Sequence, residues 1–425
     1  MALHDLQQLR AQVEASFMAA AADPTTLSWT VGADIKLLRV HDLDWSGLVE
    51  PREADRSIQP RVGIQPKQIP LSRAGQTWSF GKYLSPLGTA AGDGVQAGET
   101  ELGWLLSKVL GISSRPTGTT ISGAGSTTTV LAVASAAGIL AGDILLVPDT
   151  IGGVATHSPV IVSAVDTGAT PDTVTVFPAL GTAPANGVVV YACASYGPQD
   201  VQPTTMAFLL QGDQQTDERI TLGTAGRVAL ADSNPGQIPR LTFEMTAGHW
   251  ARPITGTGYS SAFATDAFLD KQPKFVGGAG LWMGDLTGDD PTTPVTTRTR
   301  YNEEGFTADF GVSVTPDPSS AGTAGVGSLQ GMVRDAIAAK GSALVDHDDI
   351  WQAWFETNAA KFMLRAFHVA PGSSVGIFMP RIFPDETPKR EATSGKKTGD
   401  RISWIASEGP TASALLRSPW RIWLG

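Results

Sequence analysis

The chain has 425 residues, of which 17% are charged, and glycine and proline together number 75 (47 + 28). Such a length allows two or three domains, and such a composition favours a β-rich protein with many turns over a helical one. The net charge of −10 argues against a surface that grips nucleic acid, because binding phosphates requires clustered Lys and Arg.

The sequence also limits the compartment and the chemistry. No apolar run approaches the ~18 residues of a membrane span, and the N-terminus lacks the basic segment and apolar core of a secretory signal. We therefore expect a protein that is made in the cytoplasm and has no membrane partner. The single cysteine, Cys193, excludes an intrachain disulfide and a cysteine metal site, and its apolar surroundings predict a buried, inert thiol.

The N-terminal part of the chain mixes helix, strand and loop signals. Residues 1–22 have apolar side chains at helical spacing and predict a terminal helix or docking arm. Strand-like runs follow at residues 27–31 and 35–40. Residues 50–70 are polar and rich in proline and arginine, which indicates a long loop or hairpin arm, and loops of that length usually have a function.

Residues 76–111 form a strand, a glycine-rich turn and a helix. In the first part Trp78, Phe80 and Lys82 alternate with small polar residues, which is the pattern of a half-buried strand. Residues 101–110 have apolar side chains on one helical face, and Gly111 follows as a stop signal.

The composition changes at residue 117. Residues 117–196 contain no Lys, Arg or Glu, and short β-branched runs alternate with turn residues. Five or six short strands at this spacing predict a small sandwich or barrel. Because surface loops tolerate insertions, we interpret the segment as a small all-β domain inserted into a loop of its host.

The same order of predicted elements occurs twice in the sequence: a strand, a glycine-rich connection, a helix and a meander. After the insertion, residues 204–250 predict an antiparallel meander with strands at 206–210, 217–222, 226–230 and 237–247. Residues 251–296 give no clear pattern. Residues 306–314 then predict a strand, residues 348–355 a helix, and later runs further strands around a basic polar tongue at 384–400. We therefore predict an internal duplication, with one copy in residues 1–116 and 197–250 and the other in residues 251–425.

Few residues point to chemistry. The candidates are the six histidines (4, 41, 157, 249, 347 and 368), the string Gly372-Ser-Ser-Val-Gly, the glycine-rich run at Gly123, and the acids Asp285, Asp289 and Asp290. The histidines lack metal-ligand spacing, the Gly372 string is followed by a strand where a nucleophile elbow needs a helix, and the Gly123 run lacks a phosphate-loop lysine. The acids do not match a calcium loop, so a solvated turn is the better interpretation. We expect no catalytic, metal-binding or cofactor-binding residues, no cofactor, and no enzyme activity.

Several segments together resemble the major tail tube proteins of long-tailed, siphovirus-like bacteriophages. They are the polar arm before Ile69-Pro70, the strand Thr77-Trp-Ser-Phe, the helix Glu101-Leu-Gly-Trp-Leu-Leu-Ser-Lys-Val-Leu-Gly, the meander ending Ile238-Pro-Arg-Leu-Thr-Phe-Glu-Met-Thr-Ala-Gly, and the closing strand at the C-terminus. These are patterns rather than signatures, but they cover most of the chain. The segment at 117–196 resembles the small β domains that such proteins carry as insertions.

The resemblance implies a mainly β protein with a tail-tube β-barrel or sandwich fold, duplicated here, each copy having one short helix. It implies a structural virion protein whose rings stack into the tube through which DNA is ejected. The expected partners are other copies of the chain, as a trimeric pseudo-hexamer or a hexamer, together with the tape measure, terminator and baseplate proteins. DNA would pass through the lumen without specific binding, and residues 50–70 and 384–400 would reach the next ring.

Other functions fit some of the same features. A tail terminator, baseplate or capsid-decorating protein would share the β-rich composition and the lack of catalytic motifs. A β-rich adhesin or hydrolase is a weaker alternative, because it would be expected to have an export signal and clustered acids or a Ser/His pair. For residues 117–196, passive decoration of the virion is favoured over weak contact with host glycans.

Overall fold

The computed structural model describes residues 7–14, 35–48, 52–54, 68–70, 75–86, 100–123, 125–151, 153–198, 204–211, 218–233, 236–251, 280–292, 294, 300–301, 303–310, 314–318, 329–334, 339–392, 398–411 and 413–425. Strands account for 59% of these residues and helices for 9%, which makes the protein mainly β. Its strands form closed, antiparallel barrels of six strands.

The elements before the small barrel are β1 (Gln7–Val13), β2 (Ile35–Asp44), β3 (Arg52–Ala54), β4 (Gln68–Pro70), β5 (Gln76–Tyr83), α1 (Glu101–Leu110) and β6 (Gly111–Ser114). Those of the small barrel are β7 (Thr119–Thr120), β8 (Val130–Val133), β9 (Ile144–Ile151), β10 (Val154–Asp166), β11 (Asp172–Phe177) and β12 (Val189–Pro198). Then come β13 (Met206–Gln211), β14 (Glu218–Ser233), β15 (Arg240–Ala247) and β16 (His249–Ala251).

The remaining elements are β17 (Gly280–Asp285), β18 (Arg300–Tyr301), β19 (Glu303–Asp309), β20 (Val314–Pro318), β21 (Leu329–Arg334), β22 (Lys340–Asp346), α2 (Ile350–Thr357), β23 (Lys361–His368), β24 (Val375–Pro384), β25 (Lys389–Ala392), β26 (Thr398–Ala406), α3 (Ala414–Arg417) and β27 (Arg421–Leu424). A short 3-10 turn at Thr287–Asp289 follows β17.

The N-terminal strand set, β1, β2, β5, β13, β14 and β15, closes into a ring. The pairings run β1–β2–β5–β15–β14–β13 and back to β1, all antiparallel. Strand β14 pairs with two strands of this ring in succession, with β13 from Glu218 to Thr224 and with β15 from Ala225 onward. Gly223 has a positive φ of 56°, a conformation that suits glycine and lets the strand bend there.

Residues 7–13 are a strand, so the predicted terminal helix is wrong over these residues. Strand β1 pairs with β2 on one side and with β13 on the other, which satisfies its backbone groups on both edges. Leu9 and Ala11, two residues apart, are fully buried, so burial follows the two-residue period of a strand and not the helical spacing of the apolar residues. The rest of residues 1–22 and the run at 27–31 lie outside the described residues.

Helix α1 spans the predicted residues, and local chemistry explains both ends. The Thr100 hydroxyl accepts a hydrogen bond from the Gly103 N–H at 3.0 Å, which caps the first turn. Gly111 ends the helix with a φ of 99°, and its N–H donates to the Ser107 carbonyl. Leu102, Leu105, Leu106 and Val109 are buried in the main hydrophobic core, as the helical spacing predicted.

The C-terminal strand set is β17, β18, β19, β22, β23, β24 and β26. Its pairings run β19–β22–β26–β24–β23–β17–β18, and a single residue of the chain separates β18 from β19. Helix α2 follows β22 and buries Trp351 and Trp354 in the same core. It ends at Asn358, which adopts the left-handed conformation with a φ of 49°.

Some elements differ from the predictions. The strands predicted at 217–222 and 226–230 are one bent strand, β14, because Gly223 lets a single strand serve two sheets. Strands β17 and β22 were not predicted, since glycine and serine weaken their hydrophobic patterns, and helix α3 was not predicted because it has only four residues. The predicted polar tongue contains β25, which pairs back on β26. Within the predicted arm at 50–70, β3 and β4 form a two-stranded ladder, and residues 55–67 lie outside the described part.

The small barrel closes around its own core. Its pairings run β7–β12–β9–β10–β11–β8, and a bridge between Ile121 and Val133 joins the first and last strands. Fourteen buried residues, all between Ile121 and Ala192, form a separate hydrophobic cluster inside it. The second half of β12 leaves the barrel and pairs with β6 and β27, so the barrel and the rest of the chain share one strand.

Candidate interaction surface

A continuous antiparallel sheet of eight strands joins the two strand sets. Its order is β2–β5–β15–β14–β19–β22–β26–β25. The join is between β14 and β19, where Ala229 lies opposite Asp309 and Leu230 opposite Ala308. We call this the eight-strand sheet, and the β14–β19 join its internal junction.

One face of the eight-strand sheet is apolar and buried. Along β15 every second residue, from Leu241 to Ala247, is buried, and Phe80 stacks on Phe243 with ring centroids 4.9 Å apart. Helix α1 contacts β14 behind this face. On the C-terminal side Trp404 and Phe306 have ring centroids 5.7 Å apart, in the same core that buries the tryptophans of α2.

The other face carries polar side chains in every strand. The described residues on it include Thr77, Ser79, Arg227, Thr242, Glu244, Thr307, Asp309, Lys340, Ser342, Arg401 and Ser403. At the internal junction small side chains leave a shallow groove of ≈ 400 Å³ between Arg227 on one side and Lys340 on the other. This groove is open and has no deep wall, which suits a contact surface better than a small-molecule site.

The cations on this polar face have carboxylate partners. Arg227 binds Glu244 (Nη2 to Oε2, 2.5 Å), and Arg401 binds Glu391 (Nε to Oε2, 2.9 Å). Lys340 binds Asp385 at 3.1 Å, and Arg240 binds Asp42. Since each pair is partly exposed, it adds little stability. Each pair also neutralises a positive charge on this face.

A buried ion pair ties the first helix to the sheet. Lys82 Nζ lies 2.6 Å from Glu101 Oε1 and donates to the Arg39 carbonyl at 2.9 Å. The Arg39 N–H also donates to Glu101. Burial lowers the pKa of Lys82, and the charge of Glu101 opposes that shift. With these partners Lys82 holds the start of α1 in place; its ammonium is enclosed rather than presented to a ligand.

A comparable polar contact lies at the start of α2. His347 Nδ1 lies 2.7 Å from Asp400 Oδ2, and Arg390 Nη2 lies 2.8 Å from His347 Nε2. A carboxylate only accepts hydrogen bonds, so we assign the ring proton of His347 to Nδ1. Nε2 then accepts a hydrogen bond from Arg390. Both ring nitrogens are then engaged, which removes His347 as a base or metal ligand. Sequence gave no signal for this contact, since the residues are far apart in the chain.

A second polar cluster joins the small barrel to the C-terminal strand. Arg421 is fully buried, and its guanidinium donates to the Gly142 carbonyl at 2.9 Å and to the Ser195 hydroxyl. Burial lowers the pKa of Arg421 to about 10, and the nearby carboxylate of Asp143 opposes that shift. Burial raises the pKa of Asp143, whose carboxylate accepts from Ser114 and from the Leu140 N–H. The cluster links strands β27, β12, β9 and β6.

The small barrel has a cleft of its own, of ≈ 680 Å³. His157 and Tyr191 form its aromatic wall, with ring centroids 5.8 Å apart, and burial lowers the pKa of His157. The Asp149 carboxylate accepts from Ser158 Oγ at 2.6 Å and from the Thr182 N–H at 3.1 Å. Because Ser158 donates to a carboxylate and not to a histidine, these residues do not form an activated nucleophile.

The structure does not bring the sequence candidates together. His41, His157, His249, His347 and His368 lie on different elements, and His4 lies outside the described residues. Gly372, with a φ of 69°, belongs to the hairpin turn between β23 and β24, so a strand follows it, as the sequence predicted, and not the helix of a nucleophile elbow. Within the described ranges, no group of three or more His, Cys, Asp or Glu side chains is placed to hold a metal ion.

The other candidates have structural partners. Asp285 pairs with Lys361, Asp289 accepts from the Ala360 N–H at 3.3 Å, and Asp290 accepts from the Thr292 N–H at 2.9 Å. Gly123 donates its N–H to Asn186 in a turn of the small barrel. Cys193 is fully buried, and burial raises the pKa of its thiol, which agrees with the predicted inert cysteine.

Comparison with known proteins does not place the chain in a family: no protein-family model matches it, and no curated protein matches it. In the part of the chain that the structure describes, no helix is both long and apolar enough to cross a membrane. The case for a function therefore rests on the eight-strand sheet and on the two strand sets that build it.

Proposed function

We propose that this chain is the subunit of a bacteriophage tail tube, in which two copies of one fold are fused and three chains make a ring of six copies. Stacked rings would form the conduit for DNA during ejection. The observation that carries the proposal is that the two strand sets have the same pairings in the same chain order. The polar face of the eight-strand sheet would line the lumen.

The correspondence runs element by element. Strands β1, β2 and β5, helix α1, and strands β13, β14 and β15 correspond to β17, β18 with β19, β22, α2, β23, β24 and β26. In both sets the first strand pairs with the one after the helix, and the last strand lies between its predecessor and the strand before the helix. Chance agreement over seven elements is improbable, which supports a duplication.

Two irregularities in the ladders fall at matching places, whereas a further shift between Ala366 and His368 has no counterpart in the β13–β14 ladder. The β2–β5 register shifts between His41 and Asp44, and the β19–β22 register shifts between Glu304 and Thr307, each time by one extra residue. The β13–β14 and β23–β24 ladders also share a shift, between Met206 and Phe208 and between Lys361 and Met363. Because β-bulges are local features of a particular strand pair, their repetition supports two copies of one fold.

The size of the sheet suits a tube. Three chains with eight strands each, spaced by about 4.8 Å, give a circumference of about 115 Å and a backbone diameter of about 37 Å. That width leaves room for a DNA duplex after side chains are subtracted. Closing the ring would also cover the two outer strands, which otherwise invite aggregation.

The charge of the polar face suits a passive conduit. The cations described on that face are held by carboxylates, and the whole chain has a net charge of −10. DNA would therefore meet few free cations and could slide without adhering.

The remaining segments have places in this proposal. The small barrel, residues 117–196 in the sequence interpretation, would be an inserted decoration outside the tube, and its cleft leaves weak glycan contact as the less favoured alternative. The arm at 50–70 and the tongue at 384–400 would contact neighbouring rings, although β25 within the tongue also belongs to the sheet. Tape measure, terminator and baseplate proteins would be the other partners, in the phage virion.

Negative-stain electron microscopy of the concentrated protein, with mass photometry of the fresh protein, tests the proposal. Hollow tubes or stacked rings and a trimeric ring are expected. Rings of six chains would still support a tube but would argue against the duplication, because each chain would then contribute one copy of the fold. Single rings that never stack would favour a tail terminator, and compact monomers at all salt concentrations would overturn the tube and favour an adhesin or another virion protein.

A further inference from the structure

The strand pairing at the internal junction predicts how two chains would pair with each other. Here the end of β14 pairs with β19, with Ala229 opposite Asp309 and Leu230 opposite Ala308. If the two strand sets are equivalent, the outer strands β25 and β2 carry the same two surfaces, and each would be completed by another copy of the chain.

Strand β25 takes the place of the end of β14. Ala229 pairs with Thr242 of β15, and Lys389 pairs with Arg401 of β26. Thr242 lies opposite Gly81, which in turn lies opposite His41, where the bulge of β2 begins. Arg401 lies opposite Leu344, which lies opposite Glu304, where the matching bulge of β19 begins. Thr242 and Arg401 therefore occupy corresponding positions. Lys389 is therefore the counterpart of Ala229, and Arg390 of Leu230.

The same alignment places β2 on β19. Asp44 pairs with Ser79 after the bulge, and Thr307 pairs with Ser342 after its bulge. Counting two residues on, Ser46 is the counterpart of Asp309. The second pair of bulges checks this register independently: it aligns Thr224 with Ile382, which is also the alignment that the β15 and β26 ladders give.

We propose that β25 of one chain pairs antiparallel with residues 44–46 of a second copy of this chain, with Lys389 opposite Ser46 and Arg390 opposite Trp45. This inference rests on the proposed ring and adds its partner surfaces and register. In the single chain the Ser46 N–H donates to Asp44 Oδ1 and the Leu48 N–H donates to the Trp45 carbonyl, so a turn closes this strand. Pairing would exchange those bonds for a ladder between chains.

Charge supports the choice of a second copy as the occupant. Strand β25 presents the exposed Lys389 and Arg390, and its one carboxylate, Glu391, is paired with Arg401, whereas the β2 surface presents the exposed Asp42 and Asp44. In the proposed register Lys389 lies diagonally across from Asp44, and Glu391, opposite Asp44, is neutralised by Arg401, so the net charges favour the pair and steer the encounter. The contact is thus head to tail, and such contacts form rings when the rotation between successive chains closes.

Disulfide trapping tests the register. Directly opposed residues of an antiparallel pair have Cα atoms about 4.5–5.5 Å apart, within disulfide range. The Lys389→Cys/Ser46→Cys variant, oxidised in assembled rings, should give covalent dimers and trimers on a non-reducing gel. The Ala229→Cys/Asp309→Cys variant, at the internal junction, should instead close a bond within one chain. Buried Cys193 should stay unreactive in both.

A displaced pair provides the matched control. In Lys389→Cys/Asp42→Cys the second cysteine moves four residues, about 13 Å along the strand, so cross-linking should fall at least ~10-fold by this distance argument. Rings that form normally but cross-link no better through Ser46 than through Asp42 would overturn the register and leave the tube intact. Absence of rings in the unmodified protein would overturn both, and mass photometry separates the two results.

Discussion

Asp42 and Gly305 occupy the same position in two matching β-bulges, and both have positive φ, 47° for Asp42 and 59° for Gly305. Glycine adopts this conformation freely and aspartate tolerates it, whereas a β-branched side chain does not. The two residues thus meet the same backbone requirement with different side chains, so the proposed repeat would not be visible in the sequence at this position.

This relationship predicts that the free energy of unfolding responds differently to substitution at Gly305 and at Asp42. Gly305→Val should lower the free energy of unfolding by about 1–2 kcal/mol, the cost of placing such a residue in the left-handed region. Asp42→Gly should change it by less than about 1 kcal/mol, because the exposed pair with Arg240 contributes little. Urea unfolding measures both. An equal loss in the two variants would contradict the bulge interpretation.

The buried pair of Lys82 and Glu101 predicts a large loss. Lys82→Met leaves the Glu101 carboxylate buried without its ammonium, and should cost about 3–5 kcal/mol of unfolding free energy. Adding Glu101→Gln should recover part of that loss. Lys108→Met, in the last turn of the same helix, should cost less than about 1 kcal/mol and serves as the control.

Lys82 also predicts a dependence on pH. Burial holds its pKa below the ordinary value of 10.5. Between the folded and unfolded pKa values the unfolded chain binds more protons, so the contribution of Lys82 to the unfolding free energy rises as pH increases through that window. The stability of the native protein relative to Lys82→Met should therefore grow as the pH rises toward 10.5. A difference that shrinks over this range would show that the ion pair, and not burial, controls the titration.

Arg421 predicts a local effect at the junction with the small barrel. Arg421→Met removes the donors to Gly142 and Ser195 and leaves Asp143 without its nearby cation, which should cost about 3–5 kcal/mol. Hydrogen exchange should increase first in β27 and at the start of β9. Arg417→Met, at an exposed position of the nearby helix α3, should change stability by no more than about 0.5 kcal/mol. Uniform exchange across the chain would argue against a local clamp.

The ion pairs on the polar face predict how the sheet treats DNA. Glu244→Gln with Glu391→Gln would free Arg227 and Arg401, and DNA affinity should rise with a steeper salt dependence, by up to about 2 units of slope. Asp166→Asn with Asp349→Asn changes the net charge equally on other surfaces and should have a smaller effect. Fluorescence anisotropy at several salt concentrations measures this. Equal gains in both variants would mean that overall charge alone matters.

Removing the small barrel should expose apolar surface. Ser114 and Ser195 face each other in the β6–β12 ladder, so an Asn-Gly turn can replace residues 115–194. Phe362, Phe378 and Trp423, which pack in one cluster with barrel residues such as Phe177, would then meet solvent. Increased dye binding and aggregation are expected, and Phe362→Thr with Phe378→Thr should reduce both. A deletion variant as soluble as the full chain would show that the contact is dispensable.

The sequence alone determined the elements whose patterns are local. The alternation around Trp78 and Phe80 predicted β5, and the apolar spacing followed by Gly111 predicted α1 to the residue. The segment without Lys, Arg or Glu predicted a strand-rich unit where the small barrel lies. These succeed because a side-chain period and a capping residue act within a few positions of each other.

Only the tertiary structure decided the rest. Leu9 and Ala11 lie in a strand because β2 and β13 offer hydrogen bonds on both edges, and β14 is one strand because Gly223 lets it bend between two sheets. Pairings such as Ala229 with Asp309, and contacts such as His347 with Asp400, join residues far apart in the chain. Such contacts depend on which surfaces the fold brings together, and no local pattern encodes that.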